Sequence, residues 1–353
     1  MTLEKKEGSV QRPGDRSVLI ASYLEPEYVE QIGRVDGIRV TYDPALLPPP
    51  TYPCDHHFGS IQRSPEEEKR WRGYLRDAEV MFDFDYTNLG HLAELIPHVR
   101  WIQATSAGIG SMLVRTGLIH TPITFTTASG IHGIPLAEFV VMALLWFAKG
   151  GPQMARDQAA RRWQRTCARE LRGSTVGIVG LGGVGHEVAR TCRALGLRVI
   201  ATKRTVSGNP DDAVDALWPT SELSRLLKEA DALVLACPLT PETERLIGWA
   251  ELGMMKPGAI LINIARGVVV DEPALIEALR SGHLEGAALD VAAKEPLPQD
   301  SPLWGLPNVL ISPHSASTVT VENARLTDLF CDNLRRYLRG EPLRNTFDRG
   351  RLY

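Results

Sequence analysis

Cysteine is scarce in this sequence and follows no pattern. Cys54, Cys167, Cys192, Cys237 and Cys331 in 353 residues include no C-x-x-C pair, which argues against a disulfide framework and a zinc ribbon and favours a reducing compartment. Strong net charge is missing too. At −3, with a pI near 6.3, the chain has no electrostatic reason to seek a polyanion, so nucleic acid is not expected as a partner. Long apolar runs are also absent. The longest, residues 139–148, is about half of the ~20 residues a membrane helix needs and reads as a buried helix, so no membrane is expected. The polar start Met1-Thr2-Leu3-Glu4-Lys5-Lys6-Glu7 lacks the apolar core of a signal peptide. A cytoplasmic location follows as an expectation.

What is present is alternation. Short Val- and Ile-rich runs alternate with segments of helical period, the pattern of βαβ units and mostly parallel sheets. The length exceeds what one core usually supports, so two domains are expected. A first sheet would use residues 17–21, 38–40, 79–82 and 99–102. A second would use 176–179, 198–200, 232–235, 259–262, 286–289 and 309–311. The glycine-rich stretch 126–135, followed by an apolar helix over 136–148, reads as the crossing between domains. A helical segment over 319–338 is expected to return to the first. The spacing thus predicts one domain over 1–125 and 318–353 and another over 126–317.

Gly180-Leu181-Gly182-Gly183-Val184-Gly185 sits between a predicted strand and a helix over about 184–195. In that context G-x-G-x-x-G has a physical purpose: a tight turn, close approach to a pyrophosphate, and helix-on-strand packing. The helix N-terminus adds free N–H groups and a positive dipole end. After the next strand, a site for NAD places an acidic residue against the ribose hydroxyls. Here Lys203 and Arg204 stand instead. Two cations would stabilise a 2′-phosphate, so NADP(H) is preferred and NAD(H) remains possible. The plainer reading makes both cations solvated surface residues.

Three later blocks carry a family resemblance. Asn263-Ile264-Ala265-Arg266-Gly267, Leu289-Asp290-Val291 through Lys294-Glu295-Pro296, and Ser312-Pro313-His314-Ser315 resemble the signature blocks of the D-2-hydroxyacid dehydrogenase family. Pro238-Leu239-Thr240-Pro241-Glu242-Thr243 and Met255-Lys256-Pro257-Gly258 are similar to further blocks in the same order. The resemblance implies two Rossmann-like or flavodoxin-like α/β domains with the active site in the cleft between them. It implies that Arg266 binds the substrate carboxylate and polarises its carbonyl, that His314 is the acid/base, and that Glu295 supports it. Cys237, Pro238, Thr243, Ile264, Ala265 and Asp290 would join Gly180, Gly182, Gly183, Val184, Gly185, Lys203 and Arg204 at the cofactor, with Asp290 meeting the nicotinamide carboxamide. Ser106, Ala107 and Gly108 look like the family's glycine loop, which holds the substrate carboxylate through backbone N–H groups.

The chemistry requires these residue types on its own account. A 2-oxo acid is planar and anionic, which suits a guanidinium. Hydride addition to its carbonyl carbon makes an alkoxide that needs a proton, and histidine is the usual donor near neutral pH. Each residue alone is unremarkable; their joint placement at the carboxyl ends of successive predicted strands is not. Ala292-Ala293 replace the aromatic residue that often follows Asp-Val in the family, which leaves pocket size open. Cys54-Asp55-His56-His57, in a Pro-rich loop over 45–65, has poor spacing for one metal ion, and no metal is expected. The helix from residue 136 and the polar stretch over 156–172 resemble the dimer-forming part of the family's cofactor domain, and the resemblance implies a homodimer through the dinucleotide-binding domain. Arg156, Arg161, Arg162, Arg165 and Arg169 then read as a solvated helix face with intersubunit contacts, the alternative being a polyanion patch that the net charge does not support.

The expectation is an NADPH-linked reductase of a small 2-oxo acid such as glyoxylate or hydroxypyruvate. The rivals are an NAD-linked dehydrogenase of a larger 2-hydroxy acid and a nucleotide-sensing binding protein like the corepressors that share the fold.

Overall fold

In a computed structural model of the chain, residues 14–56, 59–206 and 212–352 are described. The polar start over residues 1–7 and His57 lie outside them. The chain divides into two compact units, one ending at Ile131 and resuming at Val319, the other spanning His132–Thr318.

The first unit is built on β1 (Arg16–Ile20), β2 (Ile38–Thr41), β3 (Val80–Phe82), β4 (Trp101–Gln103) and β5 (Thr124–Thr126). Their order is β2-β1-β3-β4-β5, with every neighbour parallel, the flavodoxin-like arrangement. Val18, Ile20, Val80, Phe82 and Trp101 pack under Leu326, Phe330 and Leu334 of the helix Glu322–Arg339. Leu19, Met81 and Ile102 pack on the other face. Burial on both faces explains why these strands read as continuous apolar runs. β5 is an addition to the expected strands. Its one apolar residue, Phe125, sits between threonines, and pairing rather than pattern makes it a strand. Pairing also moves the boundary expected at 125/126: Thr126 bridges Thr346, and Thr127 N–H donates to Asn345 O, which ties residues 126–131 to the first unit. The Pro-rich loop covers the crevice outside β1 and β3, bringing Pro48, Pro49, Asp55 and His56 against Ser22, Tyr23 and Asp85. Both ring nitrogens of His56 are engaged there, by Ser22 Oγ at 3.0 Å and Asn323 Oδ1 at 2.8 Å.

The second unit holds β6 (Thr175–Val179), β7 (Arg198–Lys203), β8 (Ala216–Pro219), β9 (Ala232–Leu235), β10 (Ala259–Asn263), β11 (Leu284–Leu289) and β12 (Val309–Ile311). The order β12-β11-β10-β9-β6-β7-β8 is parallel throughout and reverses between β6 and β9, as in a dinucleotide-binding fold. The unexpected strand is β8, an edge strand of Ala-Leu-Trp-Pro without a β-branched residue. The helix expected from residue 136 starts earlier, as Gly133–Ala148, because Pro135 falls in its first turn, where the missing N–H costs nothing. Its Phe147 lies on β11, where a Cβ at Gly286 would come within 2.2 Å of the ring. The arginine segment is not one helix face. The helix Gly151–Ala159 keeps Arg156, while Arg161, Arg162, Arg165 and Arg169 lie in exposed irregular chain. There, Arg162 pairs with Asp157 and Arg169 with Glu285. No single helix among the described residues is long and apolar enough to cross a membrane.

Candidate active site

β6 ends at the point where strand order reverses, and the glycine loop follows at once. Gly180 has φ 98°, and a Cβ there would lie 2.6 Å from Cys237 Cα, so the loops after β6 and β9 touch through bare backbone. A Cβ at Gly185 would meet Gly180 O at 2.1 Å, which holds the helix Gly183–Ala194 down on its strand. Gly182 is different: a Cβ there meets no protein atom within 4 Å. Nothing among the described residues requires that glycine, yet it caps the N-terminus of a twelve-residue helix without a side-chain cap. Open space in front of unpaired first-turn N–H groups fits a pyrophosphate. Gly183 and Val184 begin that helix.

Lys203 ends β7 half-buried and Arg204 is exposed beside it. The Glu242 carboxyl is held below its usual range by the Thr240 hydroxyl first, then by backbone N–H, with Arg204 contributing. Arg204 is therefore close to the Pro238–Thr243 loop. That loop is pinned by Thr243, whose hydroxyl donates to Pro238 O at 2.7 Å and accepts from Thr240 N–H at 2.8 Å. Burial pushes the Cys237 thiol up to about 11, so it is a neutral packing group.

The other candidate residues of this unit gather past β10, β11 and β12. Asn263, which ends β10, braces the next turn: its Nδ2 donates to Arg266 O at 3.0 Å and its Oδ1 accepts from Ala265 N–H at 3.0 Å. Ile264 and Ala265 are buried in this turn. Arg266 is half-buried, and its Nη1 donates to Ala265 O at 2.7 Å. Burial pulls its guanidinium below the usual value, against the opposing charges of Glu295 and Asp290; at any ordinary pH it remains a cation. A Cβ at Gly267 would come within 1.9 Å of Ala292 C and O, so the Arg266 turn lies directly on the chain leading to Glu295.

Asp290, after β11, organises the histidine loop. One oxygen, Oδ1, accepts from Ser312 Oγ at 2.7 Å and from Ser315 and Ala316 N–H at 2.9 Å each. His314 N–H donates to Asp290 O at 2.8 Å. Wrapped this way, His314 takes φ 55°, a left-handed conformation uncommon outside glycine. Its Nδ1 donates to Glu295 Oε2 at 2.8 Å, while Glu295 Oε1 accepts from Ala292 N–H at 3.1 Å. Burial pushes the Glu295 carboxyl up, but the hydrogen bond and charge of His314, the Ala292 N–H and Arg266 together outweigh it and hold the group below the usual carboxylate range. Among the described residues nothing engages Nε2, so the arrangement is a carboxylate-held imidazole with one ring nitrogen uncommitted, and the half-buried Arg266 guanidinium is close enough to act on the Glu295 carboxyl. Such a set can bind an anion and move one proton. Asn263 and Ser312 were legible only as members of their motifs; their bracing hydrogen bonds come from loop geometry.

Ser106, Ala107 and Gly108 belong to the first unit, in the loop between β4 and the short helix Gly110–Arg115. Ser106 is half-buried, and Ala107 and Gly108 are exposed. Among the described residues no cluster of three or more metal-ligating side chains exists; Asp55 instead accepts from Thr51 N–H and hydroxyl.

Comparison with known proteins agrees with this architecture. A family model described as D-isomer specific 2-hydroxyacid dehydrogenase, NAD binding domain, matches residues 141–316. A glyoxylate reductase of Thermococcus gammatolerans is 42% identical over 305 residues, covering 81% of this chain and 88% of the relative. An (S)-sulfolactate dehydrogenase of Chromohalobacter salexigens is 39% identical over 222 residues, 61% of this chain and 70% of that protein. A D-isomer specific 2-hydroxyacid dehydrogenase from Xanthobacter autotrophicus Py2, solved with NADPH and MES, superimposes with a TM-score of 0.77 at 28% identity over 96% of this chain and 100% of its own. The chain belongs to the D-2-hydroxyacid dehydrogenase family, nicotinamide-dependent oxidoreductases acting on CH–OH groups.

Proposed function

We propose that this chain reduces a small 2-oxo acid, of the glyoxylate or hydroxypyruvate type, to the D-2-hydroxy acid, with NADPH preferred over NADH. The observation that carries the reaction is the 2.8 Å Glu295–His314 contact beside half-buried Arg266. Cofactor preference rests on Lys203 and Arg204 standing where an NAD site has an acid, and the small substrate on the relatives named glyoxylate reductase. Gly180, Gly182, Gly183, Val184 and Gly185 would hold the pyrophosphate, with Cys237, Pro238, Thr243, Ile264 and Ala265 lining the rest. Bound there, the reduced nicotinamide supplies the hydride.

The protein's own groups do the remainder. Arg266 pairs with the substrate carboxylate and draws density from the carbonyl oxygen. Backbone N–H groups of Ser106, Ala107 and Gly108 are a second holder of that carboxylate. Glu295, by accepting a hydrogen bond from Nδ1–H, leaves Nε2 of His314 for the reaction, and the imidazolium passes its Nε2 proton to the developing alkoxide and becomes a neutral imidazole that keeps Nδ1–H. Asp290 keeps one oxygen on the His314 loop, and we assign the other to the nicotinamide carboxamide. We also assign the homodimer to the second unit, on whose surface Met142, Leu145, Met154 and Trp163 are exposed, Trp163 at 98%.

Initial rates with glyoxylate, hydroxypyruvate and a bulkier 2-oxo acid, each with NADPH and NADH, test this reading. Faster turnover of a small acid with NADPH is the expected result. Preference for the bulkier acid with NADH would favour the second dehydrogenase reading. Cofactor binding without turnover of any pair would favour a sensing protein.

A further inference from the structure

The first unit places a buried carboxylate behind its exposed loop. Asp83 follows β3 with φ 65° and is 0% exposed. Its Oδ2 accepts from Thr105 Oγ1 at 3.0 Å and its Oδ1 from the Tyr86 hydroxyl at 3.4 Å. Burial, then the nearby Asp83 charge, push the Tyr86 hydroxyl far above its usual range, so it stays a neutral donor. Among the described residues no cation pairs with Asp83. A buried carboxylate held only by neutral donors is costly, and an apolar residue would pack the same space more stably. Thr105 is the residue immediately before Ser106, and it is 2% exposed. The loop thus emerges from one buried anchor, Thr105, and returns at another, Ile109 at 1% exposed. Between them, among the described residues, only the Ser106 carbonyl is held by backbone, accepting from Ala128 N–H at 3.1 Å.

We propose that Asp83 is a positioning residue for the substrate: through the Thr105 hydroxyl it holds the Ser106-Ala107-Gly108 loop in the shape that presents its N–H groups to the substrate carboxylate. The proposal rests on the assignment of that loop made above. Its energetic logic is preorganisation. Two exposed residues with aligned N–H groups bind an anion well only if their conformation is set beforehand, and the Thr105–Asp83 bond sets one end.

The test uses steady-state kinetics with NADPH and whichever 2-oxo acid the wild-type protein reduces fastest, alongside thermal melting. Thr105→Val keeps the shape and removes the donor. Asp83→Gly removes the acceptor and suits a left-handed backbone. Each is expected to raise KM for the oxo acid about three- to ten-fold, with kcat and NADPH affinity within about two-fold. Thr105→Ser, which restores the hydroxyl, returns KM to near wild type. The double variant is no worse than the worse single, because both break one interaction. Gly108→Pro, which deletes a loop N–H, separates the two ideas. If it raises KM while Thr105→Val does not, the latch is wrong and the loop assignment stands. If Gly108→Pro leaves KM unchanged, the loop assignment falls and the proposal with it. Single-variant effects that multiply, Thr105→Ser as poor as Thr105→Val, or a lowered melting temperature without a change in KM each overturn the latch.

Discussion

His314 meets two demands that few residues meet together: a left-handed backbone at φ 55° and a proton-carrying side chain within 2.8 Å of a carboxylate. Asparagine tolerates that backbone, so His314→Asn tests the chemistry without the strain that alanine would add. Turnover is expected to fall about 10²–10⁴-fold while NADPH binding, followed by fluorescence titration, stays close to wild type; lost cofactor binding would contradict the assigned role. Glu295 gives a pH signature. Its carboxyl is depressed in the folded protein, so its contribution to stability is complete above the ordinary carboxylate range and fades as pH falls through the lower folded-state value. Glu295→Gln should therefore flatten the acid limb of melting temperature against pH, and an unchanged limb would show that the pair contributes nothing measurable. Arg266→Lys keeps charge but loses the fork. It should raise KM and lower kcat together, and wild-type kinetics would reject the clamp.

At the scale of elements, the site is a set of loops leaving adjacent parallel strands, and it is only as exact as their mutual packing. Gly267 shows this most directly, because its Cβ position is filled by the Ala292 backbone at 1.9 Å. Gly267→Ala must push apart the loops that carry Arg266 and Glu295. We expect a loss of about 1–3 kcal/mol in urea unfolding and a fall in kcat; full activity would mean the two loops adjust independently. The cations Lys203 and Arg204 at the end of β7 act differently, through charge. Replacing Lys203 and Arg204 by serine should weaken NADPH about 10–100-fold by losing charge-assisted bonds to a 2′-phosphate and leave NADH nearly untouched. Equal effects on both cofactors would make these cations idle.

For the whole molecule, two parallel α/β units of different strand order divide the candidate residues, with the Gly180–Gly185 loop, Arg266, Glu295 and His314 on one and the Ser106-Ala107-Gly108 loop on the other. Parallel sheets place loops of variable sequence at their carboxyl edges while the strands stay buried, and both units follow that rule. The second unit also exposes Trp163 almost fully on irregular chain. If that surface is the homodimer contact, Trp163→Ser should shift sedimentation toward the monomer at low micromolar protein, and an unchanged dimer would place the contact elsewhere.

Strand positions and the glycine loop were readable from the chain because apolar runs bury on both faces and a G-x-G-x-x-G placed directly between a strand and a helix is a local pattern. β5 and β8 were not, since a strand with one apolar residue or no β-branched residue exists only through its neighbours' hydrogen bonds. Residues 126–131 likewise join the first unit through partners more than two hundred positions away. The arginine segment looked like one helix face by spacing, yet the helix stops at Ala159. Sequence alone determined which side chains are candidates for the chemistry. Tertiary structure decided that Asp290 holds the His314 loop, that Gly267 seats Arg266 against the Glu295 loop, and that Asp83 stands behind Thr105, because each depends on hydrogen bonds or contacts between segments that only the folded sheets bring together.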